Sequence, residues 1–174
     1  PIITMQIHQS VFRDLLTYKD FKKRKNIEFT ATVFLVISAA FVLIIVVLCL
    51  YMSNIALYTA LVIALFVFVE AMYILAGQVT RGNGKNMVYS KGAIIYSLSN
   101  TVCLVFFMLI RRVSVISAIS CVVIGYTIAA AYLKINSLEK TKGGIKGTFD
   151  FSELKRMLSF SVPIIPSALS LWIV

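Results

Sequence analysis

The sequence predicts an all-α membrane protein, a polytopic helical bundle with four complete transmembrane helices and parts of two more. Of its 174 residues, 60% are hydrophobic and 14% are charged, whereas a soluble domain is nearer ~45–50% apolar and ~25% charged. Four stretches are apolar over the ~20 residues that a helix needs to cross a bilayer core, and none alternates with the period of two of a membrane barrel. This composition argues against a soluble enzyme, a disordered tail and a nucleic-acid-binding domain.

The elements follow one another as tight hairpins separated by basic connections. Residues Ile3–Tyr18 carry an apolar stripe with helical spacing, which predicts the cytoplasmic end of a preceding helix. Only Ser53 and Asn54 join the first two spans, and only Arg111 and Arg112 join the last two, so each pair is predicted to form a helical hairpin. The four predicted spans are Phe29–Met52, Ile55–Gly77, Gly92–Ile110 and Val113–Leu133.

The composition changes after the fourth span. Residues Lys134–Arg156 are polar and basic and include KGGIKGT, which predicts a boundary between two halves of a larger transporter. The domains are accordingly residues 1–137, the helices of an N-terminal lobe; residues 138–149, a cytoplasmic linker; and residues 150–174, an interfacial helix leading into the next span.

The sequence predicts where the last helix begins. Asp150 is predicted as its N-cap, with Glu153 completing a capping box. Pro163 and Pro166 predict a kink further on. The chain starts without Met and stops within an apolar run, so we expect an internal fragment of a longer protein.

The net charge of +10 is explained mainly by topology. Fifteen of the 17 Lys and Arg residues fall in the three segments that this topology places on one side, and the other two form the second hairpin turn. By the positive-inside rule the basic side is cytoplasmic, as expected for a multi-pass protein. Attraction to the anionic lipids of the bilayer adds to this effect, and no nucleic-acid partner is needed to account for the charge.

Two polar residues lie within the predicted spans. Glu70 is a carboxylate near the middle of its span, where ionisable groups usually face a bundle interior or a water-filled cavity. It is either a cavity residue that contacts substrate or takes up a proton, or a structural carboxyl that is neutral or hydrogen-bonded to Asn100 or a tyrosine. Asn100 is either a second cavity residue or a polar contact that holds two helices together.

Two arginines lie at predicted cytoplasmic helix ends. Arg13 and Arg81 either extend toward lipid headgroups or line the mouth of a cavity that accepts an anion, because the planar guanidinium suits phosphate. Small residues in the fourth span, Ser117, Cys121, Gly125 and Ala129, recur at intervals of four and predict close helix packing.

The sequence contains no motif for nucleotide binding, metal binding or catalysis. The segments RGNGKN and GGIKGT do not match a phosphate-binding loop, and His8 is the only histidine. The three cysteines lie in apolar stretches without metal-ligand spacing. We therefore expect no catalytic residue, no metal and no cofactor, and the protein is predicted not to be an enzyme.

Three segments together resemble a known family, the Wzx-type polysaccharide flippases. PIITMQIHQSVFRDLL (Pro1–Leu16) resembles the end of that family's second membrane helix. RGNGKNMVYS (Arg81–Ser90) is similar to the loop after its fourth helix, and LSFSVPIIPSALSLW (Leu158–Trp172) to the entry of its seventh. The matches occur in the same order and with the same spacing as in the family, so the resemblance covers the whole chain.

The resemblance implies membership of the multidrug/oligosaccharidyl-lipid/polysaccharide exporter superfamily, whose two helical lobes enclose a V-shaped cavity. It implies that undecaprenyl-pyrophosphate-linked oligosaccharide crosses the bacterial plasma membrane by alternating access, for O-antigen or capsule biosynthesis. Arg13 and Arg81 would attract the head group, with Glu70 and Asn100 as further cavity candidates. A proton or sodium gradient would drive transport, and polysaccharide polymerase machinery would be a partner. The alternatives are a drug or metabolite exporter of the same superfamily and a non-transporting membrane assembly subunit.

Overall fold

The computed structural model describes residues 6–52, 57–110, 114–137 and 147–166. These residues form six α-helices and one 3₁₀ turn, and no strand occurs among them, which confirms the all-α prediction. In chain order the helices are α1 (Ile7–Thr17), α2 (Phe21–Met52), α3 (Leu57–Gly82), α4 (Asn86–Leu109), α5 (Val115–Ser137) and α6 (Phe151–Ser161), and the 3₁₀ turn is Val162–Ile164.

Four of the helices, α2 to α5, are long and apolar enough to cross a membrane, as predicted. At the basic side of the bundle, these helices extend beyond the ends predicted from the sequence. Helix α2 already starts at Phe21, and α3 extends to Gly82, so the connections predicted at residues 18–28 and 78–91 are largely helical. Lys and Arg are good helix formers, and a loss of hydropathy marks where lipid contact ends rather than where the helix ends.

The basic helix ends are joined to one another by hydrogen bonds. The Arg24 guanidinium donates to the Gly82 carbonyl at 3.3 Å and to Asn83 Oδ1 at 2.5 Å. Lys85 Nζ donates to the carbonyl oxygens of Asn136 and Ser137 at 3.1 and 3.2 Å. Each cation therefore satisfies carbonyl groups at the C-terminal end of α3 or α5, where a positive charge is favourable. The start of α2, the α3–α4 turn and the end of α5 consequently lie at one end of the bundle.

Helix α5 packs against both α3 and α4 and forms the centre of this part of the bundle. Its small residues Cys121, Gly125 and Ala129 are buried, in agreement with the packing predicted from their spacing. A Cβ atom on Gly125 would lie 3.2 Å from the backbone oxygen of Tyr96. Helix α4 can therefore approach α5 this closely only because residue 125 has no side chain.

A second core joins α1, α2, α3 and α6. Its buried side chains are Ile7, Val11, Leu15, Ile27, Ala31, Leu35, Ala71, Leu75, Val79, Leu154 and Met157. Helix α6 contributes Leu154 and Met157 to this core and leaves Phe151 and Phe160 exposed. The helix predicted to be interfacial is thus docked on α1 and α2 through one face.

The N-cap of α6 is confirmed. Asp150 Oδ1 accepts hydrogen bonds from the Ser152 hydroxyl at 2.7 Å and the Ser152 N–H at 2.9 Å, and these bonds lower the pKa of the Asp150 carboxyl. The reciprocal half of the capping box is replaced by other contacts. The Asp150 N–H donates to Thr30 Oγ1 at 3.2 Å, and the Glu153 carboxylate pairs with Arg156 instead. At Pro163, where the sequence predicts a kink, the α-helix gives way to the 3₁₀ turn Val162–Ile164.

The end of the predicted linker is attached to α2. The Thr148 N–H donates to Asn26 Oδ1 at 3.0 Å. A Cβ atom on Gly147 would lie 2.6 Å from the Lys25 carbonyl oxygen and equally close to Phe29 Cβ, so a larger residue would push the chain away from α2. Residues 138–146, which include most of the predicted linker, lie outside the described residues.

One buried carboxylate connects the beginning of the chain to α6. The Asp14 side chain is only 3% exposed and pairs with Arg13 at 2.7 Å and with Arg156 at 2.9 Å. Arg156 also donates to the Tyr18 hydroxyl at 2.8 Å. Two cations and a surrounding hydrogen-bond network thus compensate the cost of burying this charge.

We predict that Asp14→Ala destabilises the protein by about 1–3 kcal/mol and loosens α6, because it leaves Arg156 without its buried partner. Thermal unfolding in detergent and protease sensitivity after α5 measure the two effects. Asp20→Asn is the matched control, since Asp20 is exposed and caps α2 through a 3.0 Å bond from the Lys22 N–H that Asn can also accept. Equal melting temperatures for the two variants would contradict the assigned role of Asp14.

Candidate functional site

One stripe of α3 faces α4 and α5 and carries both of that helix's sequence-predicted site residues, Glu70 and Arg81. Along this stripe the Tyr73 ring lies 5.7 Å from the Tyr96 ring of α4. One turn further on, a Cβ atom on Gly77 would lie 3.1 Å from the Tyr89 ring. At the basic end the Arg81 guanidinium lies 5.3 Å from the same Tyr89 ring. The stripe is therefore an inter-helix surface, and its residues occur at the spacings of three and four that one helix face requires.

Helix α5 contributes a further aromatic ring to this inter-helix surface. Tyr126 stacks on Tyr96 with the ring centroids 4.4 Å apart and the ring planes inclined by 7°, and it lies 5.0 Å from Tyr73. We call the resulting surface the polar furrow. It consists of Glu70, Tyr73 and Arg81 of α3, Tyr89, Tyr96 and Asn100 of α4, and Tyr126 of α5, all of which are half-buried.

Glu70 lies at the middle of its helix. It is the central residue of the apolar segment Tyr58–Gly82, and Tyr126 is the central residue of Val115–Ser137. The Glu70 carboxylate is close enough to Tyr126 to interact with it electrostatically. The four ion pairs found in the described parts of the chain do not include Glu70. A half-buried carboxylate at this depth is typical of a residue that faces a polar cavity.

Asn100 lies on the α4 side of the furrow and packs against α5. Its Cβ atom would be 3.4 Å from a Cβ on Gly125. The side-chain oxygen is buried and accepts no hydrogen bond from the described residues, so the predicted contact between Asn100 and Glu70 is not formed. A buried acceptor without a donor costs about 1–3 kcal/mol.

Arg81 lies at the basic end of the furrow between two aromatic rings. Its guanidinium is 5.0 Å from the Phe12 ring of α1 and 5.3 Å from the Tyr89 ring of α4. No carboxylate in the described ranges forms an ion pair with it. The rings hold the cation by cation–π attraction without using its hydrogen-bond donors. Those donors are free to bind an anion, for which the planar guanidinium is well suited.

Arg13 lies elsewhere, so the structure does not bring the two candidate arginines together. Its guanidinium donates two hydrogen bonds to Asp14 Oδ1, at 3.0 and 2.7 Å, and stacks on the Phe160 ring of α6 at 3.8 Å. The neighbouring Phe12 faces Arg81, so successive residues of α1 point to different partners. Arg13 lines a separate surface groove next to α6.

Sequence reasoning missed Tyr126. The fourth predicted span is uncharged, and its small residues drew attention to packing rather than to polarity. The available signal was a hydroxyl-bearing ring at the centre of a membrane helix, next to the buried Gly125. Such a glycine lets a neighbouring helix approach closely, and here it brings Tyr96 against Tyr126.

No cluster of three or more His, Cys, Asp or Glu side chains suited to a metal ion occurs in the described residues. No protein-family model matches the chain, and neither the curated proteins nor the solved structures contain a significant match to it.

We predict that the furrow is accessible to water and the outer face of α3 is not. In a background without the native cysteines, a thiol at Glu70→Cys should react faster with a water-soluble maleimide than one at Leu65→Cys. Leu65 lies on the same helix and is 49% exposed, but a thiol surrounded by lipid ionises poorly and reacts slowly. Equal labelling rates at the two positions in membranes would contradict a polar furrow.

Proposed function

We propose that this chain is part of a flippase that moves undecaprenyl-pyrophosphate-linked oligosaccharide across the bacterial plasma membrane, for the synthesis of a polysaccharide such as O-antigen or capsule. The observation that carries the proposal is the polar furrow, which runs through an otherwise apolar helical bundle and has an unpaired arginine at its basic end. The substrate class comes from the resemblance of three sequence segments to the Wzx-type flippases.

The furrow has chemistry that suits a sugar. Its tyrosine rings offer apolar faces against which the C–H surfaces of a pyranose can pack, and their hydroxyls can exchange hydrogen bonds with sugar hydroxyls. The Glu70 carboxylate, at the middle of α3, is an additional acceptor. A binding site with aromatic walls and a few convergent polar groups is the usual way to fix the orientation of a polar ligand.

The position of Arg81 suits the pyrophosphate. In the proposed mechanism the cytoplasmic side of the bundle is the basic one, so the head group meets the guanidinium when it enters the furrow. The lipid tail stays outside, along the exposed apolar surface of α4 formed by Ile94, Leu98, Val102 and Phe106. Arg13 is paired with Asp14 and faces α6, so we assign head-group attraction to Arg81 alone.

Transport in this proposal proceeds by alternating access, with the N-terminal lobe rocking against a second lobe that follows α6. The docking of α6 on α1 and α2 supplies a mechanical connection through which movement of the second lobe reaches the first. Glu70 is the candidate for coupling to a proton or sodium gradient, because it is an ionisable group at the middle of its span.

We predict that Arg81→Ala lowers export more strongly than Arg81→Lys, because Lys keeps the positive charge but loses the bidentate geometry. The measurement is complementation of a flippase-deficient strain by the full-length gene, with polysaccharide at the cell surface as the readout and membrane expression as the control. Wild-type export by both variants would assign Arg81 to lipid contact. If the wild-type gene fails to complement but confers efflux of drugs, the protein is an exporter with another substrate.

We predict that Glu70→Gln preserves expression and reduces export in the same assay. The amide has nearly the same size as the carboxylate but can neither carry a charge nor take up a proton. Thr127→Val is the control, because Thr127 is an exposed polar residue near the middle of α5 that is not part of the furrow. Export by Glu70→Gln equal to that of the control would remove Glu70 from the mechanism.

A further inference from the structure

A polar groove lies between α1 and α6, away from the furrow. It has a volume of about 620 Å³ and is lined by Arg13, Ser152, Lys155, Arg156, Ser159 and Phe160. Three of these six side chains are cationic and two are hydroxyls. The groove therefore has the donors that an oxyanion requires.

The groove has one more positive charge than its carboxylates neutralise. Arg13 and Arg156 share the Asp14 carboxylate, and Arg156 also pairs with Glu153. Although burial acts in the opposite direction, the hydrogen bond and charge of Asp14 raise the pKa of Arg156, which keeps it charged. Lys155 is exposed and is in none of the ion pairs found in the described ranges. Three cations thus face two carboxylates, and the ammonium of Lys155 is the free donor.

An apolar groove adjoins the polar one on the other side of Lys155 and Ser159. Its volume is about 480 Å³, and apart from these two residues it is lined by Phe151, Leu154, Leu158, Val162 and Pro163. Lys155 and Ser159 are four residues apart, so they lie one above the other on α6. They form a ridge with an anion-binding surface on one side and an apolar surface on the other.

Helix α6 begins level with the point where α2 becomes apolar. Gly147 packs against Phe29, and the Asp150 N–H donates to Thr30, and these α2 residues stand at the start of the predicted first span. Phe151, in the first turn of α6, is 71% exposed. Aromatic rings at such a level are typical of the boundary between headgroups and acyl chains.

We propose that the two grooves of α6 together bind one anionic phospholipid, with its phosphate on Lys155 beside Ser159 and an acyl chain against Phe151, Leu158 and Val162. The amphipathic ridge matches a ligand that is anionic at one end and apolar at the other. This lipid is a resident partner of the α1–α6 junction and is distinct from any transported substrate, so the proposal does not depend on the proposed function.

The test is a titration of the purified full-length protein, in a neutral detergent, with fluorescently labelled phosphatidylglycerol and phosphatidylcholine. We expect tighter binding of phosphatidylglycerol, and we expect Lys155→Gln to weaken it about fivefold, as for the loss of one lysine near an anionic headgroup. Lys155→Arg should restore binding. Lys91→Gln is the matched control, because Lys91 is exposed on α4 and outside both grooves.

A second arm tests the apolar groove and the source of the phosphate. Phe151→Ser should also weaken binding of phosphatidylglycerol, while glycerol 3-phosphate should fail to displace the lipid because it lacks an acyl chain. Equal binding of the two phospholipids, an unchanged affinity in Lys155→Gln, or full displacement by glycerol 3-phosphate would each overturn the proposal. Both substituted side chains are exposed, so unchanged melting temperatures should accompany the changes in affinity.

Discussion

The ion pairs of Asp14 hold together the parts of the chain that lie on either side of the four membrane helices. A carboxylate that is 3% exposed can be tolerated only with compensating charges, and here one comes from the preceding residue, Arg13, and the other from Arg156 of α6. Around this group the second core assembles, since Leu154 and Met157 are buried when Arg156 reaches Asp14. In the same core α1 packs directly against α3, and this packing places Phe12 against Arg81.

The membrane helices could be predicted because lipid leaves a chain few alternatives. Backbone groups in a bilayer must satisfy one another, so an uncharged run of sufficient length has to be helical. The helix ends at the basic side could not be located in this way. Residues 21–28 and 78–82 are polar, and the helix there is supported by contacts such as those of Arg24 with Gly82 and Asn83. These contacts join residues almost sixty positions apart, and no local pattern reveals them.

The candidate site was predictable in part for similar reasons. The sequence predicts that Glu70 lies near the middle of its span and that Tyr73, Gly77 and Arg81 share its helix face. Both predictions depend only on positions within one helix. Which helix this stripe faces does not follow from the sequence, since α5 packs against both α3 and α4 although it is the last of the four membrane helices. Tyr126 therefore completes the polar furrow from an unexpected element. Arg13 and Arg81 look equivalent in sequence, and the structure separates them because Phe12 faces Arg81 whereas its neighbour Arg13 faces Phe160 of α6.

The long sequence separation of the Asp14–Arg156 pair has a consequence for biosynthesis. Arg156 comes 142 residues after its partner, so during translation α1 and all four spans leave the ribosome before the second cation is available. Until then Asp14 has only its neighbour Arg13 as a cationic partner, and the apolar side chains that α6 later covers stay open to the membrane surface. Completion of the α1–α6 junction thus completes the second core. A nascent chain that stalls before residue 156 would present an incomplete core to quality-control proteases.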